Sequence, residues 1–179
     1  MVSLFPSLQH FEGPSFLCIA IVKSSLAPQL ESLKILDLSS PSSLARDNKP
    51  SVNAICDLAA SAESLPTLSS LQFFVDPGTR TSRVIHELTR AAPELRELAI
   101  NEATLQQLKI PESLHAPKMR KLTISAGIIT PTRLRVLLEA CPLLEEIRDT
   151  YQPRLTRIWR VSRRADGSAE LKVSPECQV

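Results

Sequence analysis

The stretch Ala92-Pro93-Glu94-Leu95-Arg96-Glu97-Leu98-Ala99-Ile100-Asn101 decides the fold, because it contains one full copy of a pattern that returns along the chain. The pattern is Pro-x-Leu-x-x-Leu-x-apolar, here Pro93, Leu95, Leu98 and Ile100. Toward the C-terminus it recurs as Pro117, Met119, Leu122 and Ile124, then as Pro142, Leu144 and Ile147 with Asp149 in the last slot. Toward the N-terminus it recurs as Pro66, Leu68, Leu71 and Phe73, and as Pro28, Leu30, Leu33 and Ile35. The first copy is Pro6, Leu8 and Phe11, with Gly13 last. The prolines stand 22, 38, 27, 24 and 25 residues apart, and a period of this size marks stacked structural repeats.

The alternation Leu98-x-Ile100 or Leu122-x-Ile124 sends two apolar side chains to one face of a short strand and the residues between them to the other. Proline has no N–H for a ladder, so it belongs just before the strand, where the chain turns in. The segments that follow carry helical signals. Thr130 before Pro131 is an N-cap with proline at the first helical position, and Leu134, Leu137, Leu138 and Cys141 follow at spacings of three and four. Thr81 or Ser82 is expected to cap a second helix, with Val84, Ile85, Leu88 and Ala92 on one face. Val52, Ile55, Cys56 and Ala59 suggest a third. Strand plus helix at this period predicts an α/β solenoid of about six irregular coils, with parallel strands on the concave side and helices or extended segments on the convex side.

The six copies resemble leucine-rich repeats. The segments Cys141-Pro142-Leu143-Leu144-Glu145-Glu146-Ile147 and Ala92-Pro93-Glu94-Leu95-Arg96-Glu97-Leu98 are similar to those of intracellular F-box/leucine-rich repeat proteins of the fungal type. The resemblance covers residues 4 to 149. Where stricter repeats carry Asn or Cys after the strand, Asn101 is the best match, with Ser39, Asp76 and Ser125 as substitutes. No F-box is recognised ahead of the first copy, so a ligase role is implied by the resemblance alone.

The 38-residue interval contains Ser39 to Ser51, with five serines and two prolines, which predicts a mobile loop in the return segment. Leu105, Leu108 and Ile110 imitate the strand pattern only ten residues after Leu95, too soon for another coil. They are expected as extended or helical chain on the outer side. Beyond residue 150 the period ends. Leu155 to Arg164 and Ala169 to Val173 flank Asp166-Gly167, which predicts a basic C-terminal β-hairpin capping the open end of the solenoid over residues 151–179.

Charge and composition narrow the function classes. The chain of 179 residues has formal charge +2 and four glycines, too few for phosphate-cradling loops and too neutral for a bulk polycation. Residues 148 to 172 hold Arg148, Arg154, Arg157, Arg160, Arg163, Arg164 and Lys172 against Asp149, Asp166 and Glu170. With Tyr151 and Trp159 alongside, these could contact phosphates and bases. The alternative, charges that keep a sheet edge from aggregating, fits the neutral overall balance better. The apolar run Phe16 to Val22 is seven residues long, far short of the roughly 20 that span a bilayer. Cys18, Cys56, Cys141 and Cys177 form no CxxC or zinc spacing, which fits reduced thiols in an intracellular protein. His10, His86 and His115 join no nucleophile or metal motif.

No catalytic residue, metal, cofactor or small-molecule substrate is therefore expected. With Leu98 and Ile100 inward, Glu97, Ala99 and Asn101 face outward, followed on later coils by Lys121, Thr123 and Ser125, then Glu146, Arg148 and Thr150. Earlier coils add Gln72, Phe74, Lys34, His10 and Glu12. The expected partner-binding face is Gln72, Phe74, Glu97, Asn101, Lys121, Thr123, Glu146 and Arg148. Phe74 is either an exposed anchor for a partner or a core residue in a shifted register. The leading expectation is a non-enzymatic module that binds an unidentified protein. The alternatives are the substrate-recruiting repeats of an F-box ubiquitin ligase, and a truncated product without independent function.

Overall fold

A computed structural model describes residues 7–37, 57–58, 60–61, 64–75, 81–108, 110, 114, 116–125, 130–152, 155–164 and 169–175. The predicted loop at 39–51 lies outside them, as do Val52, Ile55, Cys56 and Ala59 of the third predicted helix and the Asp166-Gly167 turn; Asp57, Leu58, Ala60 and Ser61 are helical.

One eight-stranded sheet runs in sequence order: β1 (His10–Gly13), β2 (Ser32–Asp37), β3 (Ser70–Val75), β4 (Glu97–Asn101), β5 (Lys121–Ser125), β6 (Glu146–Gln152), β7 (Leu155–Arg163) and β8 (Ala169–Pro175). Pairing is parallel from β1 through β6 and antiparallel for β6–β7 and β7–β8. The returns carry α1 (Ser15–Val22), a 3₁₀ turn (Ala27–Gln29), α2 (Thr81–Ala91), α3 (Glu102–Gln107) and α4 (Pro131–Ala140).

The repeated proline has a defined geometric task. In five copies the chain makes an x-Pro-x-Leu (or Met) turn closed by a backbone bond. Leu30 N–H donates to Ala27 O (3.3 Å), Leu68 to Leu65 O (3.2 Å), Leu95 to Ala92 O, Met119 to Ala116 O and Leu144 to Cys141 O (each 3.1 Å). Proline sits second in each turn, where its fixed φ is preset and an N–H is not required. Neighbouring copies then interlock. The carbonyls of Gln9, Glu31, Ser69, Arg96 and Arg120 each accept two successive N–H groups from the next coil, at 2.8–3.1 Å.

Register follows the repeat. Leu33, Leu71, Leu98, Leu122 and Ile147 stand side by side, and so do Ile35, Phe73, Ile100, Ile124 and Asp149. All ten are buried, the apolar ones at 1% exposure or less. Leu30, Leu68, Leu95, Met119 and Leu144 form a third buried column beneath the turns. At roughly 1.5–3 kcal/mol for each fully buried aliphatic side chain, these columns are the main source of stability. Val84, Ile85, Leu88, Leu134 and Leu137 close the core from the helical side.

Several local expectations change. Helix α2 begins at Thr81, one of the two residues expected at its start, and Thr81 is 5% exposed. Ala92, expected on the α2 face, is buried one residue past the helix end. Thr130 caps α4 as predicted, accepting from Arg133 N–H at 3.4 Å. The Leu105–Ile110 segment begins as α3, with Asn101 as its N-cap. Helix α1 forms where the sequence showed only an apolar run. Apolar residues lie all around it, so no 3.6-residue periodicity was visible. The boundary drawn after residue 150 falls inside β6, and the same sheet continues through β7 and β8.

Candidate interaction face

Each strand of the parallel stack presents alternate residues away from the core. Across the sheet one row runs His10, Ser32, Ser70, Glu97, Lys121, Glu146, Arg160, Lys172, and the next runs Glu12, Lys34, Gln72, Ala99, Thr123, Arg148, Ile158, Ser174, with Ile158 buried at 1% exposure. A third row at the strand ends is Asn101, Ser125 and Thr150. The structure thus brings Gln72, Glu97, Lys121, Thr123, Glu146 and Arg148 onto one surface. Phe74 shares it: Leu71, Phe73 and Val75 are buried, and Phe74, opposite Leu36, is half-buried on the other face. The shifted register does not occur.

Asn101 differs from its neighbours on this face because both ends of its amide are bonded within the fold. Its Nδ2 donates to Val75 O of the preceding coil (2.7 Å), and its Oδ1 accepts from Thr104 N–H at the start of α3 (2.8 Å). Ser125 and Thr150 continue this row with a 3.3 Å hydroxyl contact, and Thr150 Oγ1 donates to Ile124 O (3.2 Å). Of the residues read as substitutes for the repeat asparagine, Ser125 contacts the next strand in this way, and Ser39 and Asp76 lie outside the described residues.

Ionised groups on the face are matched locally. Lys34 pairs with Glu12 and Lys121 with Glu97, both at 3.0 Å, and Arg148 pairs with Glu146 at 2.6 Å. At the strand entrances Lys118 pairs with Glu94, and Arg120 with Glu145 at 3.0 Å. The Lys118 hydrogen bond holds the Glu94 carboxyl below its ordinary value. Exposed pairs of this kind contribute little to stability, so they set local charge more than they hold the fold.

Between the rows lies a shallow groove of about 110 Å³, lined by Ser70, Gln72, Glu97, Leu98, Ala99, Lys121, Thr123 and Arg148. Five of the eight residues expected from sequence line it. A larger hollow of about 660 Å³ lies on the return side, between the Val22–Pro28 segment and the helical residues from Asp57 to Ser61. Its polar lining is Lys23, Ser24, Ser25, Asp57, Ser61 and Ser64.

The thiols and imidazoles are spread over separate elements. Cys18 and Cys141 are buried, and the Cys18 thiol donates to Gly13 O (3.5 Å). Burial pushes the Cys141 thiol up to about 12, with Arg163 opposing weakly, so it is not a nucleophile near neutral pH. His10 is exposed on β1 and His86 is half-buried on α2; His115 lies outside the described residues. Among the described residues no three His, Cys, Asp or Glu side chains are placed to hold a metal, and no helix is long and apolar enough to cross a membrane.

The basic C-terminal segment divides its charges between the two faces. Trp159 and Leu171 pack against the core from the helical side. Arg163, on that same side, donates to Leu138 O (3.3 Å) and Cys141 O (3.1 Å) at the end of α4. Arg164 pairs with Glu170 at 3.3 Å. Arg160 and Lys172 project on the open face, and sequence reasoning did not place them there. Strand alternation alone could not do so, because a register irregularity between Thr150 and Gln152 sets which way β7 faces.

The family model described as the leucine-rich repeats of the FBD-associated F-box protein At5g56370 matches residues 59–166, more than half of the chain. No curated protein matches it.

Proposed function

The chain belongs to the leucine-rich repeat family described for the FBD-associated F-box protein At5g56370, and on that premise we propose that it is a non-enzymatic module binding another protein across the open face of its sheet. Under this reading the parallel strands are a short solenoid of six coils, concave on the open face, with β7 and β8 as a hairpin that closes its last coil. The observation that carries the proposal is the groove between β3 and β6. Its floor is Ala99 and Thr123, its charged rim is already neutralised in pairs, and a partner's side chains can enter without first stripping water from isolated charges.

The test is Thr123→Arg, which fills the groove from its floor. Affinity capture from cell extract, quantified by mass spectrometry, should lose the wild-type partner set. The unfolding midpoint should stay unchanged, and Arg135→Glu, on the exposed surface of α4, should retain the set. An identical partner set for wild type and Thr123→Arg would refute the reading.

A second reading is favoured by the F-box association in the family's description. The repeats would then recruit substrates to an intracellular ubiquitin ligase, as the resemblance to F-box/leucine-rich repeat proteins implied. It requires an F-box in the same gene product. Sequencing full-length transcripts decides this: an in-frame F-box supports the reading, and its absence from every transcript removes it.

A further inference from the structure

The open face is not uniformly neutral. From β1 to β6 its cations are paired with acids, and at the β7–β8 end Arg164 pairs with Glu170, whereas Arg160 and Lys172 stand outside these ion pairs. Arg160 stands directly opposite Lys172 on the same face of the antiparallel pair. Side chains at directly opposed positions have Cβ atoms about 4.5–5.5 Å apart, and like charges there are unfavourable. Among the described residues no carboxylate lies within ion-pair distance of either. The acidic residue facing Arg160 across the β6–β7 ladder is Glu146, and its carboxylate is bridged by Arg148. Three cations, Arg148, Arg160 and Lys172, therefore surround one acid at the end of the groove that Arg148 lines.

We infer that this end of the face takes an acidic stretch of a protein partner, with Asp or Glu side chains placed between Arg160 and Lys172. The inference rests on the open face being the binding surface and names the chemistry of what binds there. A carboxylate between the two cations relieves their mutual repulsion, so binding strengthens an arrangement that the unliganded sheet tolerates at a cost. An extended segment reaches from there into the groove. Strand spacing of about 4.8 Å puts β4 roughly 14 Å from β7, a distance spanned by about four to five extended residues.

A peptide fits better than nucleic acid. Stacking on bases needs an aromatic ring beside the cations, and Trp159, which lies between Ile158 and Arg160 on β7, is turned to the core side. Arg163 and Arg164 are also engaged elsewhere, by helix carbonyls and by Glu170. The groove itself is lined by small and uncharged polar groups such as Ser70, Gln72, Ala99 and Thr123, which suit a peptide backbone.

The experiment uses the full chain and a fluorescein-labelled decapeptide, half of it glutamate with two leucines, read by fluorescence anisotropy. The acidic peptide should bind with an affinity that falls as salt rises. The Glu→Gln peptide and an oligothymidine of equal length should bind at least about tenfold more weakly. The double variant Arg160→Glu/Lys172→Glu should lose about tenfold or more in affinity for the acidic peptide. Arg157→Glu alters charge on the opposite face of the same strand and should change it by less than about twofold.

Equal losses from Arg160→Glu and Arg157→Glu would overturn the inference, since net charge alone would then explain binding. So would equal binding of the Glu→Gln peptide, or tighter binding of the oligothymidine. The two readings fail separately. If the acidic peptide does not bind while Thr123→Arg still strips the captured partners, the face reading stands and the acidic ligand falls.

Discussion

Asn101 carries two readings from the sequence, a place on the outward face and the role of the repeat asparagine, and its bonding bears on the second. Alternation along β4 places it on the outward face, and the resemblance to stricter repeats marks it as their asparagine. Its two hydrogen bonds, to Val75 O and from Thr104 N–H, make it a bracket between coils. Asn101→Ala leaves a part-buried carbonyl without its donor and removes a helix cap, so it should lower stability by about 1–3 kcal/mol in urea unfolding. Cys141 is a second residue whose environment decides its chemistry. In the native protein it should resist iodoacetamide at about pH 8, where an unperturbed thiol near 8.5 is partly ionised, and react once denatured; modification of the folded state, seen by peptide mapping, would contradict its burial. The raised value also has a sign in stability. The folded state holds the proton up to about 12, while the unfolded thiol releases it near 8.5, so the contribution is complete below that lower value and is lost as pH rises toward the upper one. Cys141→Ala should therefore show a shallower alkaline loss of stability than the wild type.

At the level of elements, the strands were the most legible part and the returns the least. The x-Pro-x-Leu turn and the following alternation are local, each set by a proline φ and a period of two, so five strands follow from the spelling of their copies. Helices α2 and α4 were visible through apolar spacing and, at α4, through the Thr130 cap. Two arginines tie off helices in ways no local rule announces: Arg133 donates to Leu105 O and Gln106 O at the end of α3, and Arg163 does the same for α4. Cations at helix C-termini satisfy carbonyls that have no partner within the helix. Arg163→Gln should cost about 1–2 kcal/mol in denaturant unfolding, whereas Arg164→Gln, which breaks only the exposed pair with Glu170, should stay within about 0.5 kcal/mol. Similar losses for the two would mean the Arg163 bonds do not anchor β7 to α4.

Across the whole molecule, each strand contacts its immediate neighbours, and the buried columns run from β2 to β6. Leu122 sits in the middle of one such column at 1% exposure. Leu122→Ala should cost about 2–5 kcal/mol, and because stacked repeats share nearest-neighbour interfaces, amide exchange should quicken in β4 and β6 together with β5. An unchanged midpoint would refute the register. The strand spacing, the inward columns and the outward positions of β2 to β6 are written locally, since they depend on a period of two and a fixed proline geometry that act within a few residues. The orientation of the C-terminal basic segment is not local. Its orientation follows from the irregularity between Thr150 and Gln152, and in a strand a shift of one residue exchanges the two faces. Contacts across the sheet settle that shift, directing Trp159 and Arg163 to the core side and leaving Arg160 and Lys172 on the open one.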